Sequence, residues 1–90
     1  MSEVVLKMRV DKFLNAVNIT KRRAISEDMC KSGVVSVNGV VAKPSREVKV
    51  ADEISIAFLK GVQKWRVLAI PQSKNVPKNR QNEFVSLVEE

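Results

Sequence analysis

The chain has 90 residues, with 16 lysines and arginines against 10 aspartates and glutamates, which gives a net charge of +6. One cysteine and no histidine exclude an intramolecular disulfide, a structural zinc site and histidine-based nucleophilic catalysis. The length suits one domain with a modest core and no separate catalytic domain, and the basic excess favours a polyanionic partner, nucleic acid before an anionic membrane.

Residues 1–8 are predicted to form an N-terminal arm. No apolar run approaches the roughly 18–20 residues that a membrane helix needs. The run Val4-Val5-Leu6 is too short for the core of a signal peptide. We therefore expect a cytoplasmic protein without a membrane partner.

A first helix is predicted from the helical spacing of Val10, Phe13, Leu14 and Val17, which places apolar side chains on one face. Asp11 is the expected N-cap, with the preceding valine as the staple residue. The pair Asn18-Ile19 is expected to end this helix. Lys12 then points to solvent.

A second helix is predicted over residues 21–32, with Thr20 as its N-cap and Gly33 as the residue that stops it. Lys21, Arg22 and Arg23 would lie on its first turn. Cations are unfavourable there because the positive end of the helix dipole prefers anions. The cluster therefore predicts an external anion such as phosphate. On charge alone, a solvated basic turn without a partner fits equally well.

The next stretch reads as antiparallel strands. Asn38-Gly39 between β-branched residues is a strong signal for a two-residue hairpin turn. The expected strands are residues 34–37 and 40–42, an extended segment around residues 48–50, and residues 54–58 and 62–70. Pro71 is expected to end the last of these strands.

Residues 71–79 are polar and are predicted to be a linker. The spacing of Phe84, Leu87 and Val88 favours a short amphipathic helix over residues 82–90 that must dock in order to exist. A strand over residues 83–88 is the alternative. The predicted organisation is an arm (1–8), a domain (9–70), and a linker with a short helix (71–90).

Five segments in fixed order make the pattern specific: residues 9–14 (RVDKFL), 20–24 (TKRRA), 33–39 (GVVSVNG), 43–45 (KPS) and 51–54 (ADEI). Together they resemble the RNA-binding domain of ribosomal small-subunit protein four, also called the alpha-L motif. The likeness is greatest to free-standing members of that family associated with heat shock and ribosome-associated quality control. It implies an α+β fold, with two packed N-terminal helices against a small twisted antiparallel sheet.

Two positions depart from the family pattern. Asn18 stands where many members carry an arginine, which removes one expected RNA contact at the end of the first helix. Ala51 stands where a glycine usually precedes the aspartate of a turn, so that turn is expected to differ in backbone conformation.

The resemblance also implies which residues bind structured RNA, where the second helix meets the hairpin: Arg9, Lys12, Lys21, Arg22, Arg23, Asn38 and Lys43. Structural roles compete with RNA binding at several positions. A surface ion pair between Arg23 and Glu27 would contribute only a few tenths of a kcal/mol. Trp65 is expected in the core or on the sheet rather than stacked on a base, and Cys30 is expected to be a partly buried packing residue.

The implied function is non-catalytic binding of structured RNA, without a cofactor, by a protein that is monomeric when free. The implied partner is ribosomal RNA of the large subunit beside a peptidyl-tRNA, in ribosome rescue or quality control. Two alternatives are an accessory module of an RNA-modifying enzyme and a DNA-binding helix–turn–helix regulator. The second helix lacks a set of base-reading side chains, which argues against the regulator.

Overall fold

The computed structural model describes residues 7–71 and 76–88. In these ranges the elements follow in the order β1 (Met8–Arg9), α1 (Val10–Ala16), α2 (Arg23–Lys31), β2 (Val35–Val37), β3 (Val40–Val41), β4 (Glu47–Val48), β5 (Glu53–Phe58), β6 (Gly61–Val67), a 3₁₀ helix (Lys78–Glu83) and β7 (Val85–Val88). Residues 1–6, which hold most of the predicted N-terminal arm, lie outside the described residues.

The first helix carries the predicted apolar stripe. Val10, Phe13, Leu14 and Val17 are fully buried, which confirms the spacing argument. The N-cap is Arg9 and not Asp11, because the helix begins at Val10, one residue before the aspartate. The helix is also shorter than predicted. It ends at Ala16, and its C-cap residue is Val17.

The second helix begins at Arg23, with Arg22 in extended conformation as its N-cap. Thr20 is therefore not the cap. Its buried side chain instead hydrogen-bonds the hydroxyl of Ser26, which holds the inter-helix turn against the helix. Gly33 follows the C-terminus with φ of +79°, a left-handed conformation that confirms its predicted role.

Five strands form one antiparallel sheet in the order β3-β2-β5-β6-β7, and β1 and β4 form a separate two-stranded ribbon. Asn38 and Gly39, with φ of +52° and +83°, make the predicted tight turn between β2 and β3. The core joins both layers, since the buried stripe of α1 packs with Val35, Val37 and Ile54 of the sheet. The predicted α+β fold is confirmed.

The C-terminal segment differs from the prediction. Strand β6 ends at Val67 rather than residue 70, because the amides of Leu68 and Ala69 turn to the carbonyl of Phe84. Residues 85–88 then pair with β6 as strand β7, so the alternative strand prediction is correct and the helix over 82–90 is wrong. The edge of β6 supplies hydrogen bonds that an isolated short helix lacks.

The predicted linker is partly packed. Val76 is 5% exposed, and its amide donates to the carbonyl of Ala16 at 2.9 Å. Pro71 is also buried. Residues 72–75 lie outside the described residues. The chain therefore returns from the sheet to α1 before it enters the 3₁₀ helix.

Both positions that depart from the family pattern have positive φ. Ala51, at +79°, takes the conformation that favours glycine, so the turn accepts the alanine without the altered backbone we predicted. Asn18, at +65°, donates its side-chain amide to the carbonyl of Val76. The side chain of Asn18 thus links the end of α1 to the segment that follows β6.

Candidate nucleic-acid interface

A buried carboxylate lies between two arginines where the helices meet. Asp11 is 0% exposed, and it accepts hydrogen bonds from Arg9 Nε at 3.2 Å and Arg9 Nη2 at 3.0 Å. Arg23 Nε lies 3.7 Å from the same carboxylate. The arginine side chains are 44% and 49% exposed. We call these three residues the Asp11 cluster, in which two cations share one anion and leave a net positive charge.

The short elements around the helix junction build this cluster. Arg9 ends β1, whose partner is Glu47 in β4, and Asp11 lies in the first turn of α1. Arg23 opens α2, and the steep turn from α1 brings it back to Asp11. The alternative role for Arg23, an ion pair with Glu27, is not formed. Glu27 pairs instead with Lys31 at 3.1 Å.

Lys21 and Arg22 extend the positive charge beyond the cluster. Both are exposed, and within residues 7–71 and 76–88 neither has a carboxylate within 4 Å. They precede α2, so only Arg23 occupies its first turn, and the prediction of three cations there is wrong. Because the extended backbone of Arg22 delays the start of the helix, the unfavourable dipole interaction is limited to one side chain.

Lys12 and Lys43 lie on two segments that meet at the start of α1. Lys12 follows Asp11 in α1 and is half-buried, whereas Lys43 is exposed after β3. The carbonyl of Lys43 accepts the amide of Arg46, and the carbonyl of Arg46 accepts the amide of Val10 at 2.6 Å. The turn that carries Lys43 is therefore fastened to the start of α1.

Asn38 uses its side chain for hydrogen bonds within the fold. Its Nδ2 donates to Asp52 at 3.2 Å, and its Oδ1 accepts the amide of Glu53 at 3.0 Å. Its side chain thus links the hairpin turn to the turn before β5. This geometry agrees with the expectation that Asn38 serves the turn first.

Sequence reasoning missed two features of this region. It treated Asp11 as a cap, although a single acid among five bases between residues 9 and 23 was a signal for internal pairing. It also passed over Arg46 and Lys49, which line a cleft of about 280 Å³ with Lys7 and Asn38. The alternation around Val48, which directs Lys49 to solvent, was the available signal for the lysine, and local spacing gave none for Arg46.

Glu27 is a charged residue near the cluster whose pKa is shifted. The pKa of Glu27 is lowered, first by its hydrogen bond with Lys31 and the charge of that lysine, and further by the positive charges of Arg23 and Arg9. Glu27 is therefore a second anion near both arginines, but it makes no contact with either of them within the described ranges.

Cys30 lies in the core, and Trp65 is partly buried on the sheet, in agreement with the packing roles predicted for them. Cys30 is 4% exposed, and burial raises the pKa of its thiol to about 11, so it is protonated and unreactive at neutral pH. Trp65 packs against the core from β6, where it lies between Ile54 and Leu87 of the neighbouring strands. In the parts of the chain that the structure describes, no helix has the length and apolar character to cross a membrane.

Comparison with known proteins places this arrangement in a family. The family model of the S4 domain matches residues 8–54, which include β1, both helices and the hairpin. The chain belongs to the S4 domain family. The match contains the Asp11 cluster, Asn38 and Lys43, and it ends at the second residue of β5, so most of β5 and all of β6 lie beyond it. The protein is therefore an RNA-binding protein and not an enzyme.

Similar proteins extend the likeness beyond residues 8–54 to nearly the whole chain. A Helicobacter pylori protein named RQC P-site tRNA stabilizing factor is 47% identical over 79 residues, which cover 88% of this chain and 94% of that protein. The Bacillus subtilis protein of the same name is 34% identical over 85 residues, covering 92% and 95% of the two chains.

Solved structures share the fold. The solution structure of the hypothetical protein HP1423 superimposes with a TM-score of 0.81 at 43% identity, covering 92% of this chain and 99% of that one. A trimeric structure of Heat Shock Protein 15 from Vibrio cholerae superimposes with a TM-score of 0.82 at 23% identity, covering 92% and 83%. The latter likeness concerns the fold alone.

Proposed function

We propose that this S4-domain protein binds ribosomal RNA of the large subunit next to a peptidyl-tRNA and acts in ribosome rescue or quality control. The observation that carries the proposal is the convergence of Arg9 and Arg23 on one buried carboxylate, with exposed Lys21 and Arg22 beside them. The relatives named RQC P-site tRNA stabilizing factor, which match along nearly their full length, support the choice of partner.

The proposed interface consists of the residues that the family resemblance implied: Arg9, Lys12, Lys21, Arg22, Arg23, Asn38 and Lys43. The two hydrogen bonds from Arg9 to Asp11 use two of its five N–H donors, so three remain for phosphate oxygens. Arginine forks bind phosphate in a bidentate manner, whereas the lysines act as mobile point charges. Asn38 contributes mainly by fixing the hairpin that carries Lys43 into the region.

Recognition of this kind reads the shape and phosphates of folded RNA. Aromatic residues make up only 4% of the chain, and Trp65 packs on the core, so a platform for stacking single-stranded bases is lacking among the described residues. Phosphate contacts position a protein without reading sequence, and surrounding ribosomal RNA would supply the specificity. The protein, monomeric when free and cytoplasmic, would steady the tRNA while another factor extends or releases the nascent chain.

Sedimentation through a sucrose gradient tests this function. Tagged protein should migrate with free large subunits, and the amount should rise when translation is stalled. A variant with both Arg22→Ala and Arg23→Ala should remain in the light fractions. The matched control carries Arg66→Ala and Arg80→Ala, which removes the same charge from arginines paired with Glu53 and Glu83.

Two results would contradict the proposal. One is migration of the native protein only in light fractions, under stalled and unstalled conditions alike. The other is a preference for duplex DNA over large-subunit ribosomal RNA in a competition assay, which would favour a DNA-binding regulator.

A further inference from the structure

Asp11 combines complete burial with direct contacts to two exposed cations. Both of its carboxylate oxygens bond Arg9, and Oδ1 also accepts the amide of Lys12 at 2.7 Å. Arg23 approaches Oδ2 from α2 at 3.7 Å. A buried carboxylate is strongly unfavourable unless it is paired, so these contacts are a requirement of the fold as well as a feature of the surface.

The same contacts restrict the arginines. A free arginine side chain samples many rotamers, and ordering it on binding reduces affinity. The fork between Arg9 and Asp11 fixes the plane of one guanidinium before RNA arrives, and the shared carboxylate draws the second one beside it. Both side chains remain about half exposed, so the ordered groups stay accessible to a phosphate.

We propose that Asp11 is a positioning residue of the RNA interface: it orders Arg9 and Arg23 in advance so that their guanidinium groups present adjacent donors to the RNA backbone. This inference rests on the proposed RNA-binding function. The proposal means that a negatively charged side chain strengthens the binding of RNA, whereas net charge alone predicts that it weakens binding.

The two explanations predict opposite changes in RNA affinity when Asp11 loses its charge. The substitution Asp11→Asn raises the net charge from +6 to +7, so simple electrostatics predicts tighter RNA binding. Positioning predicts weaker binding, because asparagine keeps an acceptor oxygen at only one of the two positions that Arg9 contacts and places an NH2 donor at the other, which breaks the two-point fork. We expect a loss of about tenfold in affinity, which corresponds to ordering one or two side chains on binding.

Glu27→Gln is the matched control. Glu27 is an anion whose charge is felt by Arg23 and Arg9, yet it pairs with Lys31 and not with them. Its removal gives the same net charge of +7, and it should leave affinity unchanged or raise it. Dissociation constants for one structured ribosomal RNA fragment, measured by fluorescence anisotropy at fixed salt, compare the two variants directly.

A double-mutant cycle separates positioning from general damage to the fold. In a chain that already carries Arg9→Ala and Arg23→Ala, Asp11→Asn should cause no further loss, because the groups that it positions are absent. An equal tenfold loss in that background would overturn the proposal, as would tighter binding of Asp11→Asn in the native background.

The native chain provides a measurement that needs no substitution. The Nε–H groups of Arg9 and Arg23 should be ordered in the RNA-free protein, whereas that of Arg22 should be mobile on the ps–ns timescale by NMR relaxation. Equal mobility of all three would overturn the proposal even if Asp11→Asn failed to fold. Failure of the native protein to bind any RNA would instead reject the proposed function and leave this ordering measurable.

Discussion

Replacement of Arg22 by alanine tests whether RNA binding is localised at the helix junction. Arg22 is exposed, caps α2 through its backbone alone, and has no carboxylate partner among the described residues. Its removal should therefore leave the fold intact and delete about one phosphate contact. If the native protein engages four to six phosphates, log K should fall with log salt at a slope of roughly −3 to −5, and Arg22→Ala should make that slope shallower by about 0.7–0.9.

Lys60→Ala is the matched control, since it also lowers the net charge to +5. Lys60 lies near the end of α2 that is opposite to Arg22. It follows β5 in the β5–β6 hairpin, and the amide of Ala57 in that strand donates to the carbonyl of Val34, just beyond the C-terminus of α2. The nine residues of α2, which separate Arg22 from this end, span about 13 Å, and that length exceeds the Debye length of about 8 Å at physiological salt. Lys60 should therefore contribute almost nothing to the slope.

The assay is fluorescence anisotropy of a labelled large-subunit ribosomal RNA fragment, titrated at several KCl concentrations. We expect Arg22→Ala to weaken binding severalfold at low salt, with the difference shrinking as salt rises. Equal changes of slope for Arg22→Ala and Lys60→Ala would refute the reasoning, because binding would then depend on net charge and not on a defined surface.

Three further predictions concern individual residues. Ala51→Gly should stabilise the protein by about 0.5–1 kcal/mol in urea unfolding, because relief of the left-handed conformation outweighs the added freedom of the unfolded chain. Asn18→Ala should destabilise it by about 1–2 kcal/mol in the same assay, since it loses the bond to Val76 and keeps φ positive. Cys30, whose pKa is about 11, should react slowly with a thiol reagent at pH 8. Because its thiol ionises in the unfolded chain near pH 9 and in the folded protein only near pH 11, its contribution to the free energy of unfolding should decrease as the pH rises from about 9 to 11.

Each of these predictions has a clear contrary outcome. No gain from Ala51→Gly would mean that the turn carries no strain. Unchanged stability of Asn18→Ala would mean that the hydrogen bond from Asn18 to Val76 does not stabilise the protein. Rapid labelling of Cys30 in native protein would contradict its burial, and the unfolded chain in urea provides the reference rate.

Local patterns predicted the parts of the fold that depend on neighbouring residues. The apolar stripe of α1 and the Asn38-Gly39 turn each follow from spacing and backbone preference within a few positions. Helix ends were less predictable, because Thr20 had an alternative partner in Ser26 that only the folded turn brings near. The choice of strand for residues 85–88 likewise depended on the free edge of β6, which is distant in sequence.

The candidate site was predictable as a set of charges but not as a geometry. The run from Lys21 to Arg23 and the family pattern identified the cations. The sequence did not reveal that Arg9 and Arg23 share Asp11, because that contact joins a strand end, a helix start and a second helix. Pairing with a carboxylate does not remove these arginines from the interface, since two cations face one anion and both remain half exposed.

NMR of the arginine side chains during titration with large-subunit ribosomal RNA tests the central claim most directly. The account predicts that the Nε–H signals of Arg9, Arg22 and Arg23 shift with the RNA, whereas those of Arg66 and Arg80, which pair with glutamates elsewhere, stay in place. Shifts confined to Arg66 and Arg80, or none at the three junction arginines despite binding, would contradict it.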